Sequence, residues 1–467
     1  MSKQSTIVVV VLLTLVSNDL LAQFAPTPQS SMPVSFRTAS QNQTSSILQR
    51  LETLEKQSLA DHKRGSGIST SGTQKWSGRI QLDHWAFIDG DSTTNEFETG
   101  DPLTGPADHI GFRRLRFGPA GTMGDNGIYK IEMDFANPGK IAFKDAYIGI
   151  RGLPMLKTLI IGQQKRPYGL VTLASSRYNT LIERPFGIEA INQGARRFGL
   201  QSYGVSQDKV YNWRYGAFMA EDPQYTGRVF ATTENGVYQA EFAGRFAKTF
   251  WYDEKTAGRN YGHWAVSGSV VNTDPNSALN QARFQTRPEA RTSSRWLNTG
   301  RIALAERYSL WGLEGVLNFG PLNIQSEYQV VQVNRTGVEN LQFQAGHIQA
   351  SYWLNGEHTP WSRDTGTIGR TLPFDPFTPD AGGPRGGAWQ VAIRYSYADF
   401  TDDDIFGGVG NSLSIGLNYW WSSRSRIKID YMKGRISDSS VVAGDNTSGT
   451  PRNGSYGILG VRYMVDF

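Results

Sequence analysis

The sequence predicts an all-β protein, a transmembrane antiparallel β-barrel of about 16 strands preceded by a short N-terminal helix. Three observations predict it. From residue 75 onward, polar and apolar residues alternate with period two in one stretch after another, each of about ten residues, as strands do with lipid on one side and water on the other. The amino terminus reads as an export signal. The chain also ends on such an alternation, closing with Phe467.

Composition is compatible with this class and excludes others. The 467 residues include 51 glycines and 12% aromatic side chains, which argues against disorder. Mean hydropathy is negative, which excludes a bundle of long apolar membrane helices. A barrel escapes that restriction because only every second side chain meets lipid. With no cysteine, neither a disulfide framework nor a thiolate metal site is available. The net charge of +5 is small for this length and mildly favours anionic partners. No nucleic-acid partner is expected.

In chain order, residues 1–22 are expected to be a signal peptide. Lys3 supplies the charge, Ile7 to Val16 the apolar core, and cleavage is expected after Ala22. The apolar run is too short to span a bilayer. Residues 23–45, rich in Ser, Thr, Gln and Pro, read as a disordered linker. In 46–60 the spacing of Ile47, Leu51 and Leu54 predicts a short amphipathic helix, either a lone surface helix or a small coiled coil between subunits. A Gly/Ser linker at 61–74 leads into the barrel, residues 75–467.

Within the barrel, Tyr129 to Phe135 is the clearest strand, with Lys130, Glu132 and Asp134 on its wet side. Tyr238 to Phe246, Leu322 to Val330, Trp389 to Tyr397 and Leu413 to Trp421 repeat the pattern. Tyr352, Trp353, Tyr395, Tyr397, Tyr419, Trp420 and Trp421 stand where interfacial girdles would lie. Strands are expected near residues 78, 112, 128, 142, 157, 195, 212, 236, 261, 298, 309, 321, 343, 388, 411, 426 and 456. A barrel with both ends in the periplasm needs an even number, so one of these is surplus; the first run and the one near Ala195 are the candidates. Sixteen strands leave an aqueous channel. The final alternation, Leu459, Val461, Tyr463, Val465 and Phe467, resembles the carboxyl-terminal signature by which bacterial outer-membrane proteins are recognised. It implies the β-barrel assembly machinery and outer-membrane lipid as partners.

Several strings resemble the phosphate-selective porin O and P family over nearly all of 76–467. They include Trp76 to Arg79 leading into Asp83, Phe112 to Arg116, Tyr129 to Phe135 and Lys144 to Ile148. Ile161 to Gln163, Lys165 to Gly169, Ala174 to Ser176 and Ile182 to Arg184 follow in the same order. In the second half, Tyr352 to Glu357 is similar to a family turn, with Asn355 in place of threonine; Ala388 to Gln390, Arg394 to Ser396 and Gly416 to Trp420 also fit. The resemblance implies a homotrimer of sixteen-stranded barrels with an inward-folded third loop and basic residues at the constriction. It also implies small anions such as phosphate or polyphosphate as solutes.

Rings of Arg or Lys favour anions in a pore, and the planar guanidinium meets two phosphate oxygens at once. Strand alternation places Arg114 and Arg116 toward the lumen, on the face of Phe112, whereas Arg113 reaches it only across a bulge or at a strand end. By resemblance, Arg113 and Arg114 carry over as constriction residues and Asp145 as their acidic partner. Arg116 replaces a family tyrosine. Gln164 to Arg197 reads as the constriction loop, with Lys165, Arg166, Arg177, Arg184, Arg196 and Arg197 as its cations.

The six histidines are scattered, and no nucleophile elbow, HExxH or phosphate-cradling glycine loop accompanies them. No catalytic residue, metal or cofactor is expected. Asp402, Asp403 and Asp404 are read as solvated charge. A general or sugar-accepting diffusion pore remains the transport alternative, with Trp85, Tyr168 and Tyr178 as stacking surfaces. An outer-membrane enzyme or adhesin is the alternative of another class.

Overall fold

The computed structural model describes residues 72–467 apart from 138, 222–238, 381–382 and 444–446. The expected signal peptide, first linker and helix at 46–60 lie outside the described residues. Sixteen strands form one closed antiparallel barrel in chain order. They are β1 (Gln74–Gly90), β2 (His109–Met123), β3 (Gly127–Asp134), β4 (Ala142–Leu153), β5 (Lys157–Lys165), β6 (Arg196–Val205), β7 (Tyr211–Met219) and β8 (Ala240–Tyr252). Then follow β9 (Asn260–Asn272), β10 (Ala305–Phe319), β11 (Leu322–Arg335), β12 (Leu341–Trp353), β13 (Ala388–Asp402), β14 (Ile405–Trp420), β15 (Ser425–Ser439) and β16 (Arg452–Asp466). Pairing of β1 with β16 closes the ring, so no edge strand is left exposed.

The period-two pattern explains which face goes where. Ile80, Phe112, Ile148, Phe242, Trp311 and Ile415 belong to an exposed apolar outer band, whereas Glu132, Asp134, Glu241 and Glu327 are covered on the inside. Phe112 therefore points to lipid and not, as strict alternation predicts, to the side of Arg114. Trp353 and Trp420 also depart from expectation: both point inward, where they pack against each other and Ala388.

The two strands held in doubt, near 78 and 195, are both barrel staves. The surplus one is the run near 298. Leu297–Asn298 pairs only with Gln285–Thr286, in a two-stranded sheet inside the loop between β9 and β10. Trp296, Leu297 and Ile302 are all buried, because this loop packs into the barrel instead of crossing lipid. An apolar run buried on all sides imitates a strand when only hydrophobicity is read.

Connections differ at the two ends. At the end holding the carboxyl terminus, residues 124–126, 154–156, 206–210, 253–259, 320–321 and 421–424 make short turns, as on the periplasmic side of such barrels. The one long connection there is 354–387. The opposite end carries the loops 91–108, 166–195 and 273–304. The first holds helix α1 (Ser92–Thr99), capped by Asp91, whose carboxylate accepts from the Thr94 amide. Glu98 of α1 ties this loop to the third by accepting from the amides of Ser293 and Ser294 and from the Trp296 indole.

Candidate pore constriction

Residues 166–195 cross the lumen, carrying the short helices α2 (Leu170–Leu173) and α3 (Phe186–Ile191). Ionisable side chains fasten the loop to the wall on several sides. Arg166 pairs with Glu241 of β8 at 2.7 Å, and Tyr168 donates to the same carboxylate. Glu327 of β11 accepts from the Val171 amide at 3.0 Å. Asp430 of β15 accepts from the Ile182 amide at 2.5 Å, and Lys428 donates to the Asn179 and Thr180 carbonyls. Arg462 of β16 joins Asp83 of β1 to Glu183 of the loop. Gly187 is required where α3 meets the wall, since a Cβ there would lie 2.6 Å from that of Ala345. Breaking a buried ion pair of this kind from one side costs about 3–5 kcal/mol, so the loop is a rigid partition.

A bulge decides the placement of Arg113. Gln81 of β1 pairs with Arg114 and Leu82 with Phe112, which leaves Arg113 as the extra residue. It therefore reaches inward, where its Nε and Nη2 donate to Glu183 at 2.7 and 3.1 Å. Burial alone would raise the Glu183 carboxyl, but Arg113, Arg462 and Arg114 hold it well below the usual carboxylate range.

The partition separates two basic chambers. The lower one, about 550 Å³, is lined by Arg79, Arg114, Arg116, Lys130, Lys165, Arg177, Arg184, Arg196 and Arg214, against Glu132 and Asp145. Asp145 accepts from Lys130 and Arg196, both at 2.5 Å; Glu132 takes Arg79 at 2.9 Å and Arg116 at 3.0 Å. Among the described residues, three of these cations form no salt bridge to a carboxylate. Arg114 donates to Gln81, Lys165 to the Leu173 and Ala174 carbonyls, and Arg214 lies over the Tyr203 ring. The upper chamber, about 270 Å³, lies between this loop and 273–304 and is lined by Arg113, Arg184, Arg197, Arg283, Arg287, Arg291, Arg295 and Arg301. Arg184 lines both chambers.

The profile of the phosphate-selective porin O and P family matches residues 92–467. The chain belongs to that family. Porin O of Pseudomonas aeruginosa is 24% identical over 418 residues, covering 80% of this chain and 86% of its own. An uncharacterized protein of Caulobacter vibrioides is 23% identical over 324 residues, which cover 68% of this chain; the chain spans 61% of that relative's length. Among solved structures, an anion-selective porin from Comamonas acidovorans superposes with a TM-score of 0.51 at 12% identity, covering 84% of this chain and all of that one. OmpF of Salmonella typhi does so with a TM-score of 0.51 at 11% identity, covering 84% and 97%. The protein is a porin of the bacterial outer membrane.

In this porin, Arg113, Arg114, Arg116, Asp145, Lys165, Arg177 and Arg184 all line a chamber. Arg166 does not. It is 1% exposed and spends its donors on Glu241 and the Asn192 and Gly194 carbonyls, so it anchors the loop instead of meeting solute. Of the proposed stacking surfaces, Trp85 and Tyr168 are buried, and Tyr178 lines the lower chamber. Sequence reading missed the basic loop 273–304. Its signal was present: Arg283, Arg287, Arg291 and Arg295 recur every fourth residue. It also missed the long connection 354–387, whose Trp361 packs on Tyr261 and His263 and whose residues 362–369 contribute to the lower chamber wall.

Proposed function

We propose that this porin is a passive channel with anion preference, phosphate or polyphosphate being the solute. The lower chamber carries the reading: nine cations stand there against two carboxylates. Both carboxylates are engaged by several of those cations, so the lumen keeps an excess of positive charge that attracts anions and repels cations. Arg114, Lys165 and Arg214 are the ones that form no salt bridge to a carboxylate among the described residues, and Arg113, Arg116, Arg177 and Arg184 complete the path. Carbonyl and amide partners moderate the trap, so that an anion enters without being held. The likeness in fold to the anion-selective porin of Comamonas acidovorans supports the same direction.

The reading includes export by the signal at 1–22, insertion by the β-barrel assembly machinery through the Phe467 strand, and a homotrimer in outer-membrane lipid. The test is the reversal potential of the purified porin in planar bilayers under a potassium chloride gradient, with and without phosphate. Anion selectivity, chloride current blocked by phosphate, and relief of that block in the Arg114→Ala and Arg116→Ala double variant are the expected results. Weak or cationic selectivity that phosphate leaves unchanged would sink the solute assignment.

A further inference from the structure

A third cavity stands beside the anion path. It measures about 460 Å³, within the range of small-molecule sites, and lies between β1, β2 and the loop 273–304. One wall is aromatic: Phe87 and His109 stack with centroids 6.2 Å apart. Another wall is basic, made of Arg113, Arg287 and Arg291, which also line the upper chamber. The two carboxylates in the lining are already engaged. Asp83 holds Arg462 with both oxygens at 2.6 Å, and Glu98 takes the amides of the third loop. Arg291 is exposed, and among the described residues no salt bridge restrains it. The neighbouring Arg113 lowers its proton affinity, as expected for a cation set among cations.

We infer that this side cavity binds small aromatic carboxylates, with the ring against Phe87 and His109 and the carboxylate toward Arg291 and Arg287. A ring gains from a stacked or edge-on partner, and a carboxylate gains from a guanidinium fork, so the two walls together select a molecule carrying both groups. Inorganic anions satisfy only the basic wall. The inference rests on the channel reading but not on phosphate being its solute.

The experiment compares benzoate, acetate and benzylammonium as blockers of chloride current in planar bilayers, each added at the long-loop side. Benzoate is expected to block at a concentration about 2- to 10-fold lower than acetate, the range set by one ring contact. Benzylammonium, which has the ring without the negative charge, is expected not to block. Phe87→Leu, which keeps bulk but removes the ring, is expected to abolish the difference between benzoate and acetate. Arg291→Gln, at an exposed loop position, is expected to weaken benzoate block while heat-modifiable gel migration shows an intact barrel. Equal block by benzoate and acetate in the unaltered porin overturns the inference, as does undiminished benzoate block in Arg291→Gln. Phosphate block measured in the same membranes separates the two readings: its loss with benzoate discrimination intact removes phosphate as solute and leaves the side cavity standing.

Discussion

Replacing Arg184 with glutamine removes the cation that lines both chambers. Its tie to the protein is slight, a 3.4 Å contact with Glu189, whose side chain is 45% exposed. The loop should keep its shape, because its anchors are Arg166, Asp430 and Arg462. An anion passing at about 4 Å in a wet lumen gains about 1 kcal/mol from one unit charge, against about 4 kcal/mol in a drier site. Taking the wet value, anion occupancy beside Arg184 falls about 5-fold, since about 1.4 kcal/mol is tenfold. Potassium occupancy rises by the same factor, so the anion-to-cation permeability ratio drops by about 5- to 25-fold, depending on whether one ion or both are limited there. The assay is the reversal potential under a potassium chloride gradient, alongside single-channel conductance. An unchanged reversal potential would show that the ions take a route away from Arg184 and would refute the two-chamber path.

Glu241→Gln deprives Arg166 of its ion partner and should cost about 3–5 kcal/mol, seen as a lower denaturation temperature and noisier open-channel current. Gly78→Ala should weaken the barrel seam, since a Cβ would lie 2.4 Å from the Phe467 ring; about 1–3 kcal/mol lost to overpacking is expected in thermal unfolding. The Glu183 clamp has a pH signature. Its carboxyl is depressed in the folded state, so its contribution is fully present above the unfolded value of about 4.3 and is lost only as pH falls through the much lower folded one. Titration of the Glu183 carboxyl, followed by NMR, should therefore show no transition between pH 7 and about 4, and a midpoint above pH 5 would contradict the clamp. Trp361→Ala should widen the short-turn end and raise conductance, read from single channels, because Trp361 is wedged against Tyr261 and His263.

The barrel was legible because lipid and water impose the two-residue period directly on each stave, as Lys130, Glu132 and Asp134 show on β3. What the period cannot reveal is where an inward loop is as apolar as a stave. Trp296 and Leu297 were read as a strand for that reason. Inward direction was also legible for Arg114 and Arg116, while Arg113 depended on a bulge that only the pairing of β1 with β2 exposes. Whether an arginine meets solute or fastens a loop depends on the carboxylate it finds across the lumen. Arg166 and Arg177 look alike in the sequence, yet the first finds Glu241 at 2.7 Å and the second only Asp466 at 3.9 Å.

The loop 166–195 also acts as a crossbeam. Its fastenings land on β1, β8, β11, β15 and β16, so a hollow cylinder is braced across its width by the same ions that crowd its bore. Stiffness and selectivity are thereby drawn from one stock of charge. Substitutions that retune the solute are tolerable only at residues outside the bracing, such as Arg184 and Arg214, whereas changes at Glu183 or Arg462 would alter the bore and slacken the frame together. Relatives of this porin that differ in solute should therefore differ first at the unbraced cations.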